Sequence, residues 1–286
     1  MLTVAELKSL LRTHGLRLTK RLGQHHLIDE RMVRRIIDLC RLSPSDQVVE
    51  IGPGLGALTE ELARRAGQVV AVEVDRGICA LLAQRLSSAR NIAIRCEDIL
   101  EFSWQEMREA IVVGAIPYHI SSPILVRLCE ARRAIRRAVI IVQDEVANRL
   151  LAAPGTKAYG RLSVLMRYCW DITGGMSVPR HAFFPQPEVD SRCLALQARS
   201  VPPVDVDEAR FFEMVKGAFA QRRKTLVNSL TASVSSCSLS PEAIRATLRQ
   251  LGLPMSVRGE ALSIEQFAAL TNLLHCENPL RERPLR

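Results

Sequence analysis

Two hydrophobic rhythms alternate along the chain from Gln47 onward. Short β-branched runs (Val48-Val49-Glu50-Ile51, Val69-Val70-Ala71-Val72-Glu73, Ile92-Ala93-Ile94, Ile111-Val112-Val113 and Val139-Ile140-Ile141-Val142) are separated by segments such as Leu58 to Arg65 and Ile78 to Leu86, whose apolar residues recur at i, i+3 and i+4. Runs without polar alternation are strands buried on both faces, and helices between them imply crossovers. The pattern therefore predicts an α/β fold built on a parallel, doubly wound sheet. Two later runs, around Trp170 to Ile172 and Cys193 to Leu196, are expected to close it as an antiparallel edge.

The rhythm breaks at Ser200 to Asp207, where two prolines mark a linker. Beyond it the spacing is helical: Phe211, Phe212, Val215 and Phe219 share one face. Ser240-Pro241-Glu242 is a helix start with proline at its first position, and Ser263 to Gln266 fits a capping box. The expected division is a domain over 1–199 and a small helical domain over 204–286. Near the amino terminus Leu7, Leu10 and Leu11 predict a short amphipathic helix rather than a hydrophobic leader, with a mitochondrial presequence as the weaker alternative. No apolar run approaches the roughly 18 residues of a membrane span.

Composition changes this picture in three places. The 48% apolar and 24% charged fractions belong to an ordinary globular protein. Aromatics are only 4%, so any platform for stacking bases is built from few residues. Lys and Arg outnumber Asp and Glu by 39 to 30, giving +9. The excess gathers early, where Lys8, Arg12, Arg17, Lys20, Arg21, Arg31, Arg34 and Arg35 face only Glu6, Asp29 and Glu30. Such a surface attracts phosphate backbones, although a general solubility charge would read the same way. Eight cysteines are scattered with no C-x-x-C spacing, which points to no metal site and, in a chain this long, to reduced thiols in the cytoplasm.

The candidate chemistry sits at strand ends. The first strand runs into Gly52-Pro53-Gly54-Leu55-Gly56, where glycines let backbone approach a nucleoside closely. The spacing is G-x-G-x-G, not the G-x-G-x-x-G of dinucleotide folds. Glu73 ends the second strand, where a carboxylate accepts both hydroxyls of a ribose. Asp98 follows the third, placed to accept the exocyclic amine of an adenine. Each acid alone is more often a solvated loop residue; three features at three successive strand ends are not.

The fourth strand ends in Ala115-Ile116-Pro117-Tyr118. Enzymes that methylate amino groups of bases hold Asn or Asp, an apolar residue, Pro and an aromatic here. An aromatic amine donates its lone pair into the ring and is a poor nucleophile. Acceptors that bind its hydrogens push the nitrogen toward a tetrahedral form, and an aromatic ring stacks on the base. Alanine at 115 removes the side-chain acceptor, a loss of about 1.5–4 kcal/mol in such sites.

With these residues in view, the sequence resembles the ribosomal RNA adenine dimethyltransferases of the KsgA type. Leu22-Gly23-Gln24-His25-His26-Leu27 is similar to the family's Gly-Gln-Asn-Phe-Leu, with histidine at both central positions. Glu50 to Thr59, Val72 to Asp75 and Asp98 match. So do Gln143 to Val146, Lys157 to Ser163, Phe184 to Ser191 and Phe219 to Lys224, so the likeness covers nearly the whole chain. The resemblance implies a Rossmann-like methyltransferase sheet with a small carboxy-terminal helical domain. It implies a donor site for S-adenosylmethionine made by His25, Leu27, Gly52, Gly54, Glu73, Asp98 and Ala115, with Pro117 and Tyr118 serving the base. It also implies dimethylation of two adjacent adenines near the 3′ end of small-subunit (16S) ribosomal RNA, and a role in 30S biogenesis. His25 and Ala115 both replace the family's asparagine.

For RNA, the candidates are Arg222, Arg223 and Lys224, read as the start of a helix, with Lys20, Arg21 and the pairs Arg132-Arg133 and Arg136-Arg137 behind them. The expected partner is the 30S particle, and the expected state a cytoplasmic monomer without a metal. Two other functions compete. An NAD-dependent oxidoreductase requires a dinucleotide fingerprint that is missing. A weakly active or inactive homologue acting as a ribosome-assembly factor would keep the fold and the RNA surface, and Ala115 is the feature that suggests it.

Overall fold

The computed structural model describes residues 2–16, 25–233 and 239–274. Lys20, Arg21, the Leu22 to Gln24 part of the first motif, Cys237 and Cys276 lie outside them. Packing divides the chain into two compact units: Met1–Asn148 with Cys169–Ala198, and Arg149–Tyr168 with Arg199–Arg286. Residues 149–168, expected in the first domain, thus belong with the carboxy-terminal helices.

The first unit begins with α1 (Val4–Thr13), β1 (His26–Leu27) and α2 (Glu30–Cys40). Then β2 (Gln47–Ile51), α3 (Ala57–Arg65), β3 (Gln68–Glu73), α4 (Arg76–Arg85), β4 (Ile92–Cys96), β5 (Ala110–Ala115), α5 (Ser121–Glu130) and β6 (Ile135–Gln143) alternate. The chain continues through α6 (Asp144–Leu151) and α7 (Arg161–Cys169), which cross into the second unit, and returns with β7 (Trp170–Val178), β8 (Phe183–Phe184) and β9 (Ser191–Ala198). Seven strands form one sheet in the order β4-β3-β2-β5-β6-β9-β7. The first five in chain order are parallel, and β9 runs antiparallel to both β6 and β7.

Sheet order reverses beside β2, with β3 and β4 to one side and β5 and β6 to the other. In open α/β sheets that switch point opens a crevice at the carboxyl ends of the strands. The β-branched runs explain the sheet: Val48, Val49, Val69, Ile111, Val112, Val139 and Ile140 are all fully buried. Ile36, Ile37, Leu58 and Leu62, from α2 and α3, close over Val48, Ile111 and Val139 in one apolar cluster. Truncating a core leucine such as Leu62 to alanine costs about 2–5 kcal/mol in sites of this kind. α1 is started by a capping box between Thr3 and Glu6. It lays Leu7 and Leu11 on Leu55, Ile78 and Leu81, which ties the loop after β2 to α4.

In the second unit, α8 (Glu208–Ala220), α9 (Leu226–Ser233), α10 (Pro241–Gln250) and α11 (Ile264–Leu273) follow the linker. The starts of α10 and α11 are those the sequence predicts: Ser240 caps α10 ahead of Pro241, and Ser263 and Gln266 form a capping box, while Asp207 caps α8. Phe211, Leu226, Leu230, Ile244, Leu248 and Phe267 are buried. Tyr168 stacks on Phe211 with centroids 4.9 Å apart, and the buried Tyr159 hydroxyl donates to the Leu262 carbonyl at 2.9 Å. Those two tyrosines draw residues 149–168 into the helical unit. Among the described residues no helix is long and apolar enough to cross a membrane.

Candidate active site

The glycine loop after β2 takes a conformation that side chains resist: Gly52, Gly54 and Gly56 have φ of 64°, 55° and 89°. At Gly54 space matters as well, because a Cβ there would lie 2.4 Å from Nδ1 of His26. A Cβ on Gly52 would come within 4.0 Å of the Ala115 carbonyl oxygen, so the ends of β2 and β5 face one another across the switch point. Glu73, at the end of β3, braces this loop. Its carboxylate accepts the Gly54 N–H at 3.3 Å and the Asp75 N–H at 3.1 Å. From α4, the Arg85 guanidinium bonds the Leu55 carbonyl and pairs with Glu60 at 2.6 Å.

Burial sets the electrostatics here. Glu73 is only 7% exposed, and desolvation pushes its carboxyl above the ordinary range against the backbone bonds from Asp75, Gly54 and Val74 that lower it. Glu50, fully enclosed on β2, is pushed by burial up to about 8. Burial moves His26 the other way, down to about 4, so its ring is neutral near pH 7.

The strand ends enclose a cleft of about 200 Å³ lined by His25, Gly52, Gly54, Glu73, Asp98, Ala115 and Pro117, all singled out from the sequence. Asp98 spends one oxygen on the Leu100 N–H at 2.9 Å, which fixes the turn after β4. Two expected residues stand back from the cleft lining. Leu27 is buried in the core behind it. Tyr118 is half-buried, its hydroxyl 2.7 Å from Ser191 Oγ and its ring stacked on His25 with centroids 5.5 Å apart. His26, Glu97, His119 and Ile120 also line the cleft. His119 directly follows Pro117-Tyr118, and that adjacency was the signal available for it.

A two-residue antiparallel ladder places His25. His26 pairs with Phe184 and Leu27 with Phe183, so the next register position sets His25 beside Pro185, whose carbonyl oxygen lies 2.7 Å from Nδ1.

The basic candidates fare unevenly. Arg222, Arg223 and Lys224 precede α9, in a turn where the Lys224 N–H bonds the Gln221 carbonyl, rather than beginning that helix. Arg222 is tied to Glu260 at 3.0 Å and to the carbonyls of Tyr159, at 3.2 Å, and Lys157. Arg223 and Lys224 are exposed. Arg136 pairs with Asp46, Arg137 bonds Gln197 and the Cys40 carbonyl, and Arg132 bonds the Cys129 carbonyl. Among the described residues no group of His, Cys, Asp or Glu is arranged to hold a metal ion.

A doubly wound sheet with its last strand inserted antiparallel, a glycine loop at the switch point and acids at the next two strand ends defines a Rossmann-like methyltransferase. Two crystal structures share the architecture. A dimethyladenosine transferase from Plasmodium falciparum superposes with a TM-score of 0.71 at 23% identity, covering 86% of this chain and 96% of the other. The 23S rRNA methyltransferase ErmE does so with a TM-score of 0.65 at 30% identity, covering 87% and 98%. The chain belongs to the ribosomal RNA adenine dimethylase family, whose model matches residues 15–275. It is 42% identical to the ribosomal RNA small subunit methyltransferase A of Geobacillus kaustophilus over 95% of this chain and 96% of that protein. Membership makes it an enzyme that dimethylates adenine in ribosomal RNA with S-adenosylmethionine as donor. The oxidoreductase reading falls with it, and likeness to curated methyltransferases across nearly the whole chain does not favour an inactive assembly factor.

Proposed function

We propose that this chain methylates the exocyclic amines of two adjacent adenines near the 3′ end of small-subunit (16S) ribosomal RNA, acting on the 30S particle in the cytoplasm as a monomer and serving 30S biogenesis. The observation that carries this reading is the convergence of Glu73, Asp98 and the Ala115-Ile116-Pro117 strand end on one cleft at the switch point. The target follows the small-subunit relatives at 41–42% identity rather than the 23S enzyme at 30%.

The cleft fits a nucleoside donor. Gly54 keeps its floor clear where a Cβ would meet His26, and a buried carboxylate stands at the end of β3. When bound, S-adenosylmethionine supplies an electrophilic methyl group carried on a sulfonium. In this reading the Glu73 carboxylate accepts the ribose hydroxyls, the remaining oxygen of Asp98 accepts the adenine amine of the donor, and His25 and Gly52 complete that half, with Leu27 packed behind them. On the other half the backbone carbonyls of Ala115 and Pro117 accept hydrogens of the target amine, and the Tyr118 ring, held by Ser191, stacks on the base. Positioning and electrostatics suffice, because attack on an activated methyl needs no strong base. Arg223 and Lys224 serve phosphates, with Arg222 bracing the turn that presents them.

The test is transfer of a labelled methyl group to unmethylated 30S particles, with product nucleosides identified by mass spectrometry. Dimethyladenosine at adjacent positions near the 3′ end of 16S RNA is the expected product. Label confined to 23S RNA would overturn the target, and label on neither would overturn the reading.

A further inference from the structure

We propose that the groove between α1 and β8 is a second RNA subsite, which holds the nucleotide next to the target adenine; the inference rests on the adenine-methylating reading of the cleft. An adenine presented for methylation must leave its stack and enter the cleft. Its neighbour, joined to it through one phosphodiester, then lies at the rim with base and phosphate exposed. Single-stranded RNA is held in such places by cations for the backbone and an aromatic ring for the base.

The groove brings these together at one edge of the cleft. It is open, spans about 540 Å³ and is lined by Lys8, Leu11, Arg12, Leu16, Phe184 and Pro185. Sites for small organic ligands run from about 300 to 1,000 Å³, so one nucleotide fits. The β1–β8 ladder is common to both sites. His25 and His26 line the cleft, whereas Phe184, which pairs with His26, and Pro185, whose carbonyl meets His25, line the groove.

The charges follow from the helix. Lys8 and Arg12 stand four residues apart on α1, so their side chains share one face, and both are exposed. On the neighbouring stripe Leu7 and Leu11 are buried against Leu55, Ile78 and Leu81, which fixes the helix and with it the pair of cations. The acid of α1, Glu6, is turned back on Thr3. Among the described residues neither Lys8 nor Arg12 is paired with a carboxylate. Lys8 Nζ stands instead 5.2 Å from the centroid of the Phe184 ring, so a cation and an aromatic are already side by side. Phe184 packs on the same α1 cluster and is only half-buried. In a chain with 4% aromatics, a ring left at the rim beside two uncommitted cations is a stacking platform with its phosphate contacts in place. The basic excess near the amino terminus thereby gains a defined task at two of its positions.

The experiment measures binding of unmethylated 30S particles and locates the contact. Lys8→Ala with Arg12→Ala is expected to lower affinity and to reduce the slope of log affinity against log salt by about one to two. Phe184→Leu keeps an apolar side chain on α1 and removes the ring; it is expected to weaken binding about five- to a hundredfold at an unchanged slope. Affinity for S-adenosylhomocysteine should keep its wild-type value in both variants. The two cations lie on an exposed face, so their substitution leaves Tm unchanged and decides the matter even where Phe184→Leu lowers it. With p-benzoylphenylalanine in place of Phe184, ultraviolet light should crosslink the protein to a nucleotide adjoining a methylated adenine of 16S RNA. Wild-type affinity and salt slope in the Lys8, Arg12 pair would overturn the inference. So would a loss confined to donor affinity, or a crosslink to a ribosomal protein or to RNA remote from the methylated positions. Should the wild type transfer no methyl group to 30S particles, the functional reading falls and this inference with it; should it be active while the groove variants bind as it does, the inference falls alone.

Discussion

Replacing Glu73 by alanine perturbs two sets of bonds at once. In the free protein the carboxylate accepts the N–H groups of Gly54 and Asp75, so its loss leaves two loop donors unpaired. In the donor complex it also accepts the ribose hydroxyls. Hydrogen bonds to a charged acceptor contribute about 1.5–3 kcal/mol each, and water admitted to the truncated site recovers part of the two that bind the ribose. A net loss of about 2–4 kcal/mol follows, or roughly a 30- to 1000-fold weaker Kd. Glu73→Gln keeps one oxygen acceptor and should fall between. The pH dependence has a definite sign. Burial raises this carboxyl above its ordinary range, and the hydroxyls bind its ionised form. Donor affinity should therefore rise with pH through the raised value, and binding should release a proton, visible as a buffer-dependent heat. Titration calorimetry with S-adenosylhomocysteine, on variants whose circular dichroism is unchanged, measures both quantities. Wild-type affinity in Glu73→Ala, or affinity that falls as pH rises, would refute the assignment.

Gly54→Ala should weaken donor binding by at least about tenfold: the left-handed backbone costs an L-residue about 1–2 kcal/mol, and the new Cβ would lie 2.4 Å from His26 Nδ1. Unaltered calorimetric affinity would show that the loop is free to shift. Glu50→Gln should flatten the pH dependence of thermal stability. The wild-type carboxyl is raised from 4.5 to about 8, so the folded state binds more protons than the unfolded one across that window, and stability falls as pH rises through it, by up to about 1.4 kcal/mol per pH unit. A wild-type Tm that is constant between pH 5 and 8 counts against a buried, protonated Glu50. Arg223→Ala with Lys224→Ala should lower affinity for the 30S particle and reduce the slope of log affinity against log salt by about one to two, at unchanged Tm. Arg222→Ala should instead lower Tm, because it breaks the ties to Glu260, Lys157 and Tyr159; the reverse pattern would exchange the two roles.

Strand periodicity and strand-end chemistry made most of the first unit legible in advance. All five parallel strands fall on the predicted β-branched runs, and seven of the expected site residues line one cleft. Local signals also located the capped starts of α10 and α11. What stayed hidden depends on contacts remote in sequence. The β1–β8 ladder has two residues per strand and no periodicity to detect, yet it sets His25 against the Pro185 carbonyl. Tyr159 and Tyr168 carry no local mark of their partners, so the allegiance of 149–168 could not be read. α2 and α5 were not anticipated, although Met32, Val33, Ile36, Ile37 and Cys40 trace a helical stripe once the sheet beneath is known. Nor does sequence distinguish a free arginine such as Arg223 from one already committed, such as Arg222.

The reversed strand sets an order in which the parts of the site emerge during synthesis. β9 begins where the parallel strands end, Ser191 pairing with Gln143 at the close of β6. The segment before it, Pro185 to Asp190, therefore reaches the rim of the cleft last. The glycine loop, Glu73, Asp98 and Ala115 have all left the ribosome by then, because synthesis runs from the amino terminus. Tyr118 waits for Ser191, and His25 for Pro185, across 73 and 160 residues of further translation. A nascent chain halted before Pro185 would thus keep the glycine loop, Glu73, Asp98 and Ala115 while the rings of His25 and Tyr118 stood unanchored.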